Sequence, residues 1–416
     1  MYPWHFFLQK GKELITRLIS GIPKTPHAFL FAMAAIAPLS LGTSMVLVNN
    51  FAFERVGFTG AEMGILFSLK EIPGFLAFTV IFVLLVIREQ SLAMIALCLL
   101  GIGVALTGQL PSLYGLYFTG VLGSIGFHYY ETVNQSLSLQ WLTKKEAPEV
   151  MGKLIAFGGF VSLFSYGLIL FGWKIVGLDY AWLYGIGGAL TFFGAIFLWK
   201  YFPQFEPTTP QRKHIVLRKR YGLYYALTFL GGARRQIFMV FAGFMLVEKF
   251  HYPVEAITIL FLANCALNLY VAPRIGRFIA RWGEKNTLTF EYAGLAIIFA
   301  AYALVENAWI AAGLYLVDHL LFAMAIAMKT YFQKIADPAD IAPTAGVAFT
   351  INHIAAVILP VFFGMVWLIS PAAVFISGAL LATCSLGLAR LIPNSPEPGR
   401  EVEKPQISQT WSSRLR

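Results

Sequence analysis

Leu223-Tyr-Tyr-Ala-Leu-Thr-Phe-Leu-Gly-Gly-Ala-Arg234-Arg235-Gln-Ile-Phe-Met-Val-Phe-Ala-Gly-Phe-Met-Leu246 is an apolar run that carries two adjacent arginines. At ~1.5 Å rise per residue the pair lies about 11 residues in, near the middle of a bilayer-spanning helix. A cation there costs from about 3 kcal/mol on insertion scales to more than 10 in simulations, so it calls for acidic partners, water or an anion around it. The stretch predicts a membrane helix with a charged site at its centre.

The rest of the chain agrees with a membrane setting. Of its 416 residues 58% are hydrophobic and 12% charged, with a mean hydropathy of +0.69; soluble domains carry about 25% charge. Apolar runs of about 18 residues or more, without turn residues at every tenth position, favour helices over a barrel, so the class is all-α. Cys98, Cys265 and Cys384 fall singly inside apolar runs and read as small buried hydrophobes rather than a metal or disulfide framework.

Apolar runs against breaks predict spans at 28–52, 61–87, 91–108, 113–141, 151–173 and 180–201, then at 222–247, 254–272, 286–304, 308–334, 342–368 and 371–391. The expected organisation is an amphipathic surface segment over 1–27, one bundle over 28–201, a basic linker over 202–221, a second bundle over 222–391 and a disordered tail over 392–416. Arg88, Lys144, Lys145, Arg212, Lys213, Arg218, Lys219, Arg220, Arg274, Arg277, Arg281, Lys285 and Lys334 fall in alternate loops, whereas the opposite loops hold little beyond Arg55, Lys174 and Lys249. The positive-inside rule then places both termini in the cytoplasm of a plasma (inner) membrane. It also absorbs the net charge of +10 as a topology signal, so nucleic acid is not an expected partner.

An internal repeat supports two halves. Phe53-Glu-Arg-Val-Gly-Phe58 and Val247-Glu-Lys-Phe-His-Tyr252 are offset by 247 − 53 = 194 residues, and the same register aligns Gly64-Ile-Leu-Phe67 with Thr258-Ile-Leu-Phe261 and Gly152-Lys-Leu-Ile-Ala-Phe157 with Gly346-Val-Ala-Phe-Thr-Ile351. Six plus six helices around a basic central loop resemble the major facilitator superfamily over about residues 28–391. Gly276-Arg277-Phe-Ile-Ala-Arg281-Trp-Gly283-Glu-Lys285 is similar to the G-x-x-x-D/R-R-x-G-R/K gating loop of that superfamily. The first-half counterpart Val86-Ile-Arg88-Glu-Gln90 is degenerate, and the fourth span lacks an arginine, which disfavours a multidrug antiporter. The resemblance implies that spans 1, 4, 7 and 10 line a central cavity, while 2, 5, 8 and 11 form the interface between halves.

Counting along the spans places Lys70, Glu71, Arg234, Arg235, Asp318, His319 and His353 near mid-depth, with Glu131 and Lys329 toward the cytoplasmic ends. Successive helical positions are ~100° apart, so one arginine of the pair should face the cavity and the other a neighbouring helix, with Asp318 the candidate counter-ion. Arg234, Arg235, Asn352, His353 and Tyr130 are the candidate substrate contacts. Asp318, His319, Glu71 and Lys70 are the candidate coupling or ion-pair groups, and Asp318 beside His319 suits either proton coupling or plain neutralisation of an arginine.

The leading reading is an alternating-access secondary transporter for a small organic or phosphorylated anion, with protons as the coupling ion. Lys70, Arg234 and Arg235 against Glu71 and Asp318 leave one positive charge for an anion to balance. One alternative is a divalent metal or metal-chelate transporter built on Asp318, His319, His353 and Glu71. The other is a non-transport assembly factor or receptor on the same fold. No phosphate-binding glycine loop, H-E-x-x-H or nucleophile elbow is present, so an enzyme is not expected. Nor is a cofactor or resident metal; twelve spans make a complete monomer within the lipid bilayer.

Overall fold

Ser, Thr, Asp and Asn side chains punctuate the apolar runs. Thr25, Thr59, Ser112, Asp179, Asn307 and Ser370 each accept a hydrogen bond from a first-turn N–H of the helix that follows, satisfying backbone donors that lipid cannot. At Thr59 the cap is reciprocal, the Glu62 carboxylate accepting from the Thr59 N–H at 2.8 Å. The computed structural model describes residues 21, 23–142, 147–205, 217–337 and 340–403.

The first half consists of α1 (Pro26–Phe51), α2 (Gly60–Phe75), α3 (Glu89–Thr107), α4 (Leu113–Trp141), α5 (Ala147–Phe171) and α6 (Tyr180–Tyr201). The second begins with α7 (Gly222–Gln236), which runs through a π-helical stretch, Ile237–Ala242, into Gly243–Glu248. The 51-residue helix Val254–Leu304 is broken at Gly283; its arms, 254–282 and 284–304, are α8 and α9. Then come α10 (Ala308–Phe322, extended by Ile326–Ile335), α11 (Ile341–Ile369) and α12 (Pro371–Ala389). Among the described residues ten helices are long and apolar enough to cross a membrane. The two passes outside that set are α2, which ends at Phe75 and continues as a 3-10 turn and the short helix Val80–Val83, and α4, which is long but polar from His128 to Ser136. Large apolar side chains lie on the outside, with Trp309, Leu85 and Ile369 at 80% exposure or more, as lipid-facing positions require.

The repeat is visible in the backbone. Helices α2 and α8 start at Gly60 and Val254, an offset of 254 − 60 = 194, and α5 and α11 start at Ala147 and Ile341, at the same offset. Gly57, with φ 74°, and His251, with φ 54°, are likewise in register. Glycine takes a left-handed turn at no steric cost, whereas histidine does so against its Cβ.

The halves meet mainly at the face away from the termini, here the distal face. The Asn50 side chain donates to the Tyr252 carbonyl at 2.7 Å, Trp173 donates to Glu255 at 3.2 Å, and Lys174 pairs with Glu255 at 3.2 Å. Deeper in, α2 packs directly on α11. A Cβ on Gly64 would stand 2.1 Å from the Pro360 carbonyl oxygen, and one on Gly364 would stand 2.7 Å from the Gly60 carbonyl oxygen. Ser68 Oγ accepts from the Val361 N–H across this seam at 3.2 Å. Small residues let membrane helices approach to backbone contact. Because its obstacle is rigid backbone, Gly64→Val is expected to pry the seam apart: a cysteine at Ser68 should be labelled by a water-soluble maleimide at least several-fold faster than in the parent.

On the opposite, terminal face Asp340 gathers Arg218, at 2.5 and 3.0 Å, Arg220 at 3.2 Å and the Tyr221 hydroxyl at 2.8 Å. Hydrogen bonds from Arg218 hold the Asp340 carboxyl down, from its ordinary 3.8 to about 2. A lowered native pKa adds stability that is complete above the unfolded value and disappears as pH falls through the folded one. The difference in melting temperature between the parent and Asp340→Asn should therefore be constant above about pH 4 and close between about pH 4 and pH 2; a difference that grows on acidification refutes it.

Three expectations need adjustment. The amphipathic segment over 1–27 falls largely outside the described residues, as does most of the basic linker. The tail does not become disordered at Pro393: Lys285 pairs with Glu403 at 2.5 Å, the Tyr331 hydroxyl donates to the Glu401 carbonyl at 2.6 Å, and the Glu403 N–H donates to Leu391 at 2.7 Å. Polar composition signals disorder only where no surface supplies partners, and here the ends of α9 and α10 do. The 276–283 motif forms no loop either. Arg277 and Arg281 lie on a continuous helix that breaks only at Gly283, and Gly276 lies within it.

Candidate functional site

The arginine pair divides as the helical period requires. Arg234 is 1% exposed. Its guanidinium lies 4.2 Å from the Tyr292 ring centroid, and its Nε donates to the Leu230 carbonyl at 3.3 Å, while Nη1 is buried without a partner. Asp318 on α10 and Glu291 on α9, both at 1% exposure or less, lie within its electrostatic reach. Both Asp318 oxygens and Glu291 Oε2 are buried without a hydrogen-bond partner among the described residues. Asp318 is thus the neighbour that the sequence reading proposed, coupled through space rather than by a bonded ion pair. Glu291 escaped notice because it sits only about five residues into the span expected from 286; the apolar helix begins at Arg277, which sinks Glu291 deeper.

Arg235 is exposed and makes no hydrogen bond or ion pair among the described residues. Its field reaches Glu131 on α4 and His319 on α10, so it faces the space between the halves. This corrects the placement of Glu131, which is not confined to a helix end but also interacts with Glu71 and His353. The signal was available: Glu131 is the nineteenth residue of a 29-residue helix, four positions past its midpoint rather than at its end. His319 is half-buried, its Nδ1 3.1 Å from the Tyr315 carbonyl and its ring 4.6 Å from that of Phe238.

A third group bridges the halves. His353 Nε2 on α11 lies 3.6 Å from Glu71 Oε2 on α2, and the His353 ring is 5.3 Å from that of His128 on α4. His128 was not singled out from the sequence; it sits just before Tyr129 and Tyr130, and only the α2–α4 packing brings it to Glu71. The other candidates scatter. Lys70 sets its ammonium 5.0 Å from the Phe67 ring centroid. Asn352 is half-buried, its Oδ1 against Gly232, where a Cβ would stand 2.5 Å away. Tyr130 is 6% exposed in the apolar core, whereas its neighbour Glu131 is exposed. The four residues of the metal alternative do not gather either: Asp318 is sealed behind Arg234, and only Glu71 and His353 meet.

With Glu131 and Glu291 included, the surplus positive charge inferred from sequence disappears. What persists is a spatial separation, with Arg234 buried near two carboxyls of the second half and Arg235 exposed. Arg277 and Arg281, the expected gating residues, instead line a surface cavity of about 320 Å³ with Arg274, Phe278 and Trp282.

The sequence matches the Major Facilitator Superfamily profile over residues 30–360. The chain belongs to this family, and it is a secondary transporter rather than an enzyme. No curated protein matches it in sequence. Among solved structures, the nucleoside transporter NupG is 14% identical, with 87% of this chain and 98% of that one covered at a TM-score of 0.71. The D-xylose-proton symporter is 11% identical, with 89% and 98% covered at 0.69. A bacterial homologue of the human lysosomal transporter Spinster, inward-facing and occupied, is 14% identical, with 91% and 98% covered at 0.66. At such identities the likeness establishes the fold, and the cargo must be argued from the site.

Proposed function

We propose that the protein moves a small organic or phosphorylated anion by alternating access, with Arg235 as the anion-binding group. The observation that carries this reading is a guanidinium about midway along the span Lys219–Glu248, exposed and free of any bonded acidic partner among the described residues, while its neighbour Arg234 is enclosed. A guanidinium grips carboxylate or phosphate through two parallel hydrogen bonds, and an unpaired one inside a membrane is costly until an anion arrives. Glu131 across the cavity and His319 beside Arg235 favour a cargo that also carries hydrogen-bond donors.

We assign the coupling proton to the carboxyl pair beside Arg234. Three oxygens of Asp318 and Glu291 bond nothing, so a proton can add there without breaking an existing hydrogen bond. We assign the terminal face, with its basic residues, to the cytoplasm, so that both termini are cytoplasmic in a plasma (inner) membrane. With the distal face closed, the arrangement then corresponds to an inward-open state.

The test is uptake into proteoliposomes of labelled carboxylates and phosphate esters against neutral sugars and nucleosides, with and without a pH gradient. Anion flux that saturates and is driven by the gradient supports the reading. Flux of neutral solutes alone overturns it.

A further inference from the structure

We infer that Glu71, His128 and His353 form a binding site for a divalent first-row transition metal that ties the two halves together. Their ligand atoms lie within 4.8 Å of one another, and two of the three side chains are more than nine-tenths buried, His128 at 7% and His353 at 5% exposure. Bonds of about 2.0–2.1 Å in a tetrahedral arrangement separate donor atoms by roughly 3.4 Å. The His353–Glu71 distance of 3.6 Å already approaches that spacing, and small side-chain rotations bring in the third donor.

The surroundings are those of a ligating set. His353 Nδ1 lies 2.9 Å from the Phe349 carbonyl, a contact that fixes the proton on Nδ1 and leaves the Nε2 lone pair toward Glu71, as the outer shell of metal-binding histidines commonly does. His128 Nδ1 is buried without a hydrogen-bond partner among the described residues, and where it carries a lone pair, metal ligation would satisfy it. Gly74 makes room for both rings: a Cβ there would stand 2.5 Å from His353 Nε2 and 2.7 Å from His128 Cε1. Two imidazoles and one carboxylate suit zinc, cobalt, iron or nickel and leave positions open for water, whereas magnesium and calcium prefer all-oxygen sets.

Glu71 and His128 belong to the first half and His353 to the second, so a metal held by all three bonds the halves at mid-depth and favours the state in which the distal seam is closed. A ligand that binds one conformation alone stabilises that conformation. The site is thus a clamp, separate from Arg235 and independent of the anion reading.

The experiment is a titration of the purified full-length protein in detergent with Co2+, followed by its visible d–d absorption and by displacement with Zn2+, alongside thermal melting. One Co2+ per chain, displaced by Zn2+ and accompanied by a rise in melting temperature, is expected. His353→Gln and His128→Gln should each weaken binding on the order of tenfold to a hundredfold, the range seen even for outer-shell losses, and Gly74→Ala should weaken it too. Glu71→Gln, which keeps the shape and removes the charge, controls for variants that fail to fold. Absence of absorption in the parent, or unchanged affinity in folded His353→Gln and His128→Gln, overturns the site whatever the result of the anion uptake assays. If vesicles accumulate the metal through the protein, the clamp is wrong and the triad is a cargo site.

Discussion

Arg234→Ala is expected to cost about 3–5 kcal/mol of stability, the usual penalty for breaking a buried charge group by removing one member. The variant leaves the Asp318 and Glu291 carboxyls enclosed, at 1% exposure or less, with no cation among them, and removes the guanidinium stacked 4.2 Å from Tyr292. Thermal melting in detergent and the monodisperse yield are the measurements. Removing the whole set should be far milder than removing one part, so Arg234→Met with Asp318→Asn and Glu291→Gln should regain most of the loss. If Arg234→Ala melts like the parent, the enclosed group is not a structural brace and Arg234 must be reassigned to the cavity.

Arg235→Ala should behave in the opposite way. Its side chain is exposed and bonds nothing among the described residues, so melting should barely move, whereas apparent affinity for an anionic cargo should fall. The loss of a charge-assisted fork is worth about 1.5–3 kcal/mol, or roughly tenfold to over a hundredfold in apparent affinity. Arg235→Lys keeps the charge and loses the planar fork, so it should fall between the two. Equal transport by all three proteins would refute the anion site while leaving the fold and family untouched.

The fold was legible because lipid imposes it. Most spans are long and apolar, six of the twelve helices start at a side-chain cap, and the repeat between Phe53–Phe58 and Val247–Tyr252 marks the two halves in the sequence itself. The division of labour between Arg234 and Arg235 followed from the helical period, but which faced inward did not, since that depends on where α9 and α10 press. Glu291 and His128 were hidden for a related reason. Depth counted from 286 misplaces Glu291 on a span that starts at Arg277, and a cluster assembled from α2, α4 and α11 leaves no local pattern in the chain. The tail beyond Pro393 read as disordered because its composition is polar, while its anchors, Lys285 and Tyr331, lie 393 − 285 = 108 and 393 − 331 = 62 positions upstream of Pro393-Asn-Ser-Pro.

The seam where Gly60 and Gly64 meet Pro360 and Gly364 has a mechanical corollary. Its adhesion comes from close-fitting main chain and a single serine hydroxyl, with little electrostatic commitment, so separation surrenders many faint attractions and almost no strong ones. That stretch of the joint can part and re-form repeatedly without stranding charge in hydrocarbon, and the Glu71–His353 contact further along the same two helices is a polar tie that turnover must release as well.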